Sequence, residues 1–207
     1  TEQFHREARV LAAVQHRNVV RVSDFGTRES GESYLVMELL RGQNLADRIF
    51  AGDPLEVSEL LRIIGQSLRG RAAVHDAGVV HRDIKPENIF LVKDGEEVFP
   101  KLIDFGVART TRKDLASAVT TATGIIIGTL PYMSPEQARG MRDIDLRSDL
   151  YSVGAVLYEG LSGRLPFEQS NPVDLLLAIL DQTPPTVAEL RPEVGLAVSA
   201  VVQRALE

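Results

Sequence analysis

Apolar residues recur at spacings of three and four between Gln3 and Gln15, at Phe4, Ala8, Leu11 and Val14, which predicts an amphipathic helix. The period then changes. Val19 to Phe25 and Tyr34 to Met37 are short runs rich in β-branched residues, parted by the polar stretch Gly26 to Ser33, as expected of paired antiparallel strands. From Leu55 to Ala77 the positions Leu60, Ile64, Leu68 and Ala72 share one face, and Gly78 follows as a residue able to take a left-handed stop. A long helix is predicted there. Two further strand-like runs, Ile89 to Val92 and Val98 to Ile103, are joined by Lys93-Asp94-Gly95-Glu96-Glu97, a hairpin signal whose charges are those of a solvated turn. Residues 107 to 135 show no period and predict a long loop of the functional or mobile kind. Helical patterns return at Leu150 to Leu161, Pro172 to Leu180 and Leu196 to Leu206, with proline-rich links between them. The order is α+β, and without a repeating βαβ unit it argues against a doubly wound sheet.

Composition narrows the class. The 207 residues are 44% hydrophobic and 25% charged, too apolar for a disordered tail. The densest apolar stretch, Val173 to Leu180, is interrupted by Asp174 and is too short for a bilayer, so no membrane span is expected. Absence of cysteine excludes disulfides and thiolate zinc. A net charge of −6 argues against nucleic acid or an anionic membrane as partner. The length allows one large domain or two small ones. The chain opens on Thr1 inside a predicted helix, without Met or signal peptide, and reads as a piece of a longer protein.

Chemistry gathers around the hairpin. With its turn near Gly95, the start of the first strand lies beside the end of the second, which brings Asn88 and Asp104 together. Asp83 and Lys85 precede Asn88 in the loop between the long helix and the hairpin, where side chains can be aimed at a ligand. Two carboxylates and an amide oxygen suit Mg²⁺ that keeps several waters and bridges phosphates, and Lys85 offers a point charge to a phosphoryl oxygen.

The segment His81-Arg82-Asp83-Ile84-Lys85-Pro86-Glu87-Asn88 resembles the catalytic loop of eukaryotic-type protein kinases, and Asp104-Phe105-Gly106 resembles their metal-binding triplet. Gly128-Thr129-Leu130-Pro131-Tyr132-Met133-Ser134-Pro135-Glu136 follows where that family places its peptide-binding loop and A-P-E motif, with Ser134 in place of Ala. Asp149 opens Asp149-Leu150-Tyr151-Ser152-Val153-Gly154, similar to the family's central buried helix. Lys85, two after Asp83, is similar to the Ser/Thr-directed type. Met133 to Gly140 and Leu146 to Tyr151 look most like the bacterial branch.

The resemblance implies a bilobal kinase fold: a partial small lobe over residues 1–37, a hinge at 38–42, and a helical large lobe over 43–207. Catalytic loop 81–88 and activation segment 104–136 lie in the large lobe, which is expected to be incomplete at its C-terminus. It implies that Asp83 orients the substrate hydroxyl, Lys85 steadies the transferring phosphoryl group, and Asn88 and Asp104 hold Mg²⁺, with Mn²⁺ as the alternative ion. ATP would set its adenine against the backbone of Glu38 and Leu40, over Phe90, and Glu7 would reach the nucleotide through a strand lysine that this chain lacks. His81 and Phe105 would stack with Leu11 and Val22. Arg82 would bind a phosphate on the activation segment, at Thr121 or Thr123, with Thr120 a third candidate. Thr129 would contact Asp83 and Lys85, and Glu136 and Asp149 would be structural. Expected partners are ATP, protein substrates bearing Ser or Thr, and a second kinase copy for trans-autophosphorylation.

ATP use and the lack of Cys imply a cytoplasmic location, which includes the cytoplasmic part of a membrane-anchored receptor kinase. In the family the glycine-rich loop and strand lysine precede the position of Glu7, so the chain by itself is expected to bind ATP weakly and transfer phosphate poorly. Two other classes compete with a protein kinase. A pseudokinase scaffold would have no need of Asp83, Lys85, Asn88 and Asp104 together, and a small-molecule phosphotransferase would lack Lys85 and the Ser134-Pro135-Glu136 loop.

Overall fold

The structure, a computed structural model, describes residues 2–51, 55–78, 83–105, 129–141 and 144–207. Helix α1 (Glu2–Ala13) leads into an antiparallel pair, β1 (Val22–Thr27) and β2 (Ser33–Met37). Strand β3 (Gly42–Asn44) runs straight into the short helix α2 (Leu45–Phe50), whose first turn is capped by Asn44 Oδ1 accepting from Asp47 N–H at 2.7 Å. Helix α3 (Val57–Asp76) precedes the hairpin β4 (Ile89–Asp94) and β5 (Glu97–Leu102). Then come the single turn α4 (Pro135–Ala138), α5 (Leu146–Ser162), α6 (Pro172–Asp181), α7 (Val187–Leu190) and α8 (Leu196–Ala205).

The strands form two separate sheets. β1 and β2 make one, and β3-β4-β5 the other, antiparallel throughout. Helix α5 is buried on all sides from Tyr151 to Leu161, the mark of a helix at the centre of a domain rather than on its surface. The main core joins Leu11 of α1, Leu60, Ile63 and Ile64 of α3, Ile89, Leu91 and Leu102 of the hairpin, and Val156, Leu157 and Leu161 of α5. A smaller cluster sets Leu130, Met133, Tyr151 and Phe167 against Leu175 and Ile179 of α6. Each such side chain, fully buried, contributes about 1.5–3 kcal/mol.

Two glycines mark where backbones meet too closely for a side chain. A Cβ on Gly70 of α3 would sit 2.6 Å from the carbonyl oxygen of Asn18, and one on Gly42 would sit 1.9 Å from that of Leu91, with φ +146° at Gly42 besides. Asn18 is therefore pressed against α3. From there its carbonyl accepts from Leu102 N–H at 2.9 Å, and its amide donates to Pro100 O at 2.7 Å, so one residue locks β5 to the long helix.

The sequence expectations hold for the order and type of the main elements, with three corrections. Val19 and Val20 are not part of β1. Val19 makes a parallel bridge to Leu102 and Val20 N–H donates to Leu102 O, so the β-branched run is divided between two partners. The segment that reads as hinge alone ends in β3, paired to β4 through Gly42–Val92, Gln43–Leu91 and Asn44–Phe90. Helices α2, α4 and α7, of six, four and four residues, go unannounced because such lengths are too short to show a period.

Candidate active site

The site is assembled at the open base of the β4–β5 hairpin. Ile89 pairs with Leu102, and one step outward Ile103 N–H donates to Asn88 O at 2.9 Å, which places Asp104 at the same edge as Asn88. Asn88 closes a 3-10 turn, Pro86–Asn88, opened by a proline whose fixed φ suits the first position. Its side chain is buried. The Asn88 amide donates to Asp83 O at 2.8 Å and to Asp83 Oδ2 at 3.0 Å, so the carboxylate is held against its own loop.

Lys85 Nζ lies 3.8 Å from the same Asp83 Oδ2 and donates to Thr129 Oγ1 at 3.3 Å. Through this contact the described chain from Thr129 onward meets the loop that carries Asp83 and Asn88. Asp83, Lys85, Asn88 and Thr129 are thus brought together, with Asp83 and Asn88 only 4% and 5% exposed. A buried carboxylate so placed is tolerable because it is bonded and faces an ammonium. Asp104 is exposed at the hairpin edge, with φ +53°, the one non-glycine residue with positive φ among those described. That backbone state costs about 1–2 kcal/mol and is one Asp adopts more readily than most residues. Phe105 turns the other way, into the main core that also contains Leu11 and Val22.

The donor set fits a hard divalent cation. Among the described residues no group of three or more His, Cys, Asp or Glu converges, so a metal here would take an amide oxygen and a carboxylate from the protein and the rest from ligand or water. With the Asn88 amide nitrogen bonded to Asp83, its Oδ1 is the end able to serve a cation.

The loop after Thr129 is anchored from below. Tyr132 O–H donates to Glu159 Oε2 of α5 at 2.6 Å, and Ser152 Oγ donates to Tyr132 O at 2.8 Å. Burial pushes the Glu159 carboxyl above its ordinary value; the Tyr132 bond opposes this, and the charges of Glu87 and Glu168 add to the rise. Burial, with the Glu159 charge, also pushes the Tyr132 phenol far up. Ser134 caps α4 in a reciprocal box with Gln137, and Glu136 accepts from Ser148 Oγ. Asp149, 1% exposed, lies 2.9 Å from His75 Nε2, while Arg71 of α3 donates to Leu146 O at 3.1 Å.

In the segment between β2 and β3, Glu38 N–H donates to Arg21 O at 3.0 Å, and Arg21 N–H returns a bond to Glu38 Oε1 at 2.8 Å. Leu40 is partly buried against the main core; Phe90, opposite Lys101 in the hairpin, is half-buried, as is Glu7 on α1. Burial raises the Glu38 carboxyl, but bonds from Lys101 and Arg21 outweigh it and hold it below the usual carboxylate range. His81, Arg82, Gly106, Thr120, Thr121, Thr123 and Gly128 lie outside the described residues. Sequence reasoning gave no role to Glu159, Lys101 or Asn18. Only Tyr132 carried a signal, as a member of the segment ending at Glu136.

A family model described as protein kinase domain matches residues 1–198, and the chain belongs to that family. It is 44% identical over 214 residues to the serine/threonine-protein kinase pkn2 of Myxococcus xanthus, covering 100% of this chain and 25% of the relative. It is 39% identical to pkn3 of the same organism, over 99% of this chain and 38% of the relative. With PknL of Mycobacterium tuberculosis it shares 38% identity, over 91% of this chain and 48% of that one. The chain thus spans between a quarter and half of these relatives' lengths. The crystal structure of the PknI kinase domain of Mycobacterium tuberculosis, a double mutant, superposes with a TM-score of 0.75 at 23% identity. That superposition covers 100% of this chain and 70% of the other, and shows the shared fold. Proteins of this family use ATP and a divalent metal and act on protein substrates. Among the described residues no helix is long and apolar enough to cross a membrane.

Proposed function

We propose that this domain transfers the γ-phosphoryl group of ATP to Ser or Thr hydroxyls of proteins. The observation that carries the proposal is the buried Asp83 carboxylate, bonded by Asn88 and faced by Lys85, at the edge that also presents Asp104. Phosphoryl transfer asks for positioning and charge neutralisation more than covalent help. In this reading the substrate hydroxyl docks on Asp83, its oxygen bonds to the γ-phosphorus as the bond to the β-phosphate bridging oxygen breaks, and its proton passes to Asp83. Lys85 balances charge on the transferring group. Asn88 Oδ1 and Asp104 would hold Mg²⁺, which supplies charge neutralisation to the phosphates.

The division into small-lobe residues 1–37, hinge 38–42 and large lobe 43–207 belongs to the same proposal. Adenine would lie against the hinge backbone at Glu38 and Leu40, above Phe90, and Glu7 of α1 would orient the phosphate end through a lysine. The contact of Lys85 with Thr129, and relatives that bear the name serine/threonine kinase, support hydroxyl acceptors of the aliphatic type. Action in the cytoplasm, with a second copy as one substrate, agrees with a need for ATP. Incubation of the intact protein with γ-labelled ATP, Mg²⁺ and a mixed peptide library, followed by phosphoamino-acid analysis, tests the proposal. Labelled phosphoserine or phosphothreonine is expected; label absent, or confined to small molecules, overturns it.

A further inference from the structure

Lys101 stands near the end of β5, three residues before Asp104, on a strand whose neighbours Phe99, Pro100 and Leu102 are buried. Its side chain is 12% exposed, and the mechanism above gives it nothing to do. A shielded ammonium is tolerated only where a counter-charge holds it. Here that charge is the Glu38 carboxylate, whose Oε1 lies 2.5 Å from Lys101 Nζ although the two are 63 positions apart.

Glu38 is also held by the backbone of Arg21. Its N–H donates to Arg21 O and its Oε1 accepts from Arg21 N–H, so one residue joins the start of β1, the hinge and β5. We propose that Lys101 is a positioning residue for nucleotide binding: through Glu38 it sets the hinge backbone at a fixed offset from β5, the strand that leads to Asp104. The inference rests on the reading above that the hinge backbone receives adenine. The base end and the phosphate end of one nucleotide would then be held by segments that this ion pair ties together. Phe90 supports the placement, because it pairs with Lys101 across the hairpin and lies in the same strand pair.

Lys101→Met in the intact protein removes the charge while keeping the aliphatic stem. ATP KM and adenosine Kd are expected to rise together by about tenfold, the scale of a single lost interaction, with kcat within about twofold of wild type. Lys101→Arg is expected to restore both constants. Glu38→Gln should weaken adenosine in the same direction, and the double variant should be no worse than the poorer single one. Glu38→Gln also keeps the comparison available if Lys101→Met does not fold. An unchanged adenosine Kd in folded Lys101→Met or Glu38→Gln, or a fall in kcat at constant KM, overturns the inference alone. Wild-type protein that binds ATP but not adenosine at millimolar concentration overturns the adenine reading of the hinge, and this inference with it.

Discussion

The Asn88 amide donates to both the backbone oxygen and the carboxylate of Asp83, at 2.8 and 3.0 Å, so the six residues from Asp83 to Asn88 close into one unit around that carboxylate. Asp83→Asn keeps the shape and removes the proposed base. Phosphoryl transfer should fall by at least ~10²-fold, while the circular dichroism spectrum stays that of the wild type. Near-normal turnover in folded protein would refute the role given to Asp83.

Asn88→Ala should do two things at once. It deprives the buried Asp83 carboxylate of a donor, at a cost of about 1–3 kcal/mol read from urea unfolding, and it removes the proposed cation ligand. The loss of activity should be reduced at raised Mg²⁺, whereas Asp83→Asn should show no such response. Equal Mg²⁺ dependence in the two variants would count against Asn88 as a ligand.

Thr129→Val tests the bridge to the peptide loop. Losing the bond from Lys85 should lower kcat by about tenfold, with Thr129→Ser close to wild type. A Val variant as active as the Ser variant would leave the contact without a catalytic part.

Glu159 supplies the pH dependence. Burial raises its folded-state pKa above the unfolded value, so in the window between them the folded protein keeps a proton that the unfolded chain has released. Stability from this group is therefore greatest at acid pH and declines as pH rises from about 4 toward the folded value, staying lower beyond it. Urea midpoints of wild type and Glu159→Gln, measured from acid to neutral pH, should diverge in that direction. Tyr132→Phe should cost about 1–3 kcal/mol, because the buried Glu159 Oε2 loses its donor.

Gly70→Ala is expected to destabilise by about 1–3 kcal/mol, because its Cβ meets a backbone carbonyl that cannot rotate aside. A melting temperature equal to wild type would mean that Asn18 and β5 had shifted off α3.

The gathering of Asp83, Lys85 and Asn88 was legible because it is local: they lie within six positions, and the Asp-Gly turn predicts the hairpin that carries Asp104 round to them. The long helices were legible because their period is long enough to read. Glu159 and Lys101 were not, since what defines them is burial against partners 27 and 63 positions away, and a lone Glu or Lys on a helix or strand reads as a solvated charge. Val19 and Val20 show the same limit. Their β-branched character predicts a strand, and only the tertiary pairing with Leu102 decides which strand takes them.

Gly42 has no part in the proposed chemistry, yet its missing side chain is what lets the polypeptide after β2 lie down on β4. A saturation scan scored by kinase output would therefore flag position 42 as sharply as Asp83, through two unlike causes. Complementation by added Mg²⁺ or ATP would separate them, because a backbone that cannot descend onto its neighbour is rescued by neither.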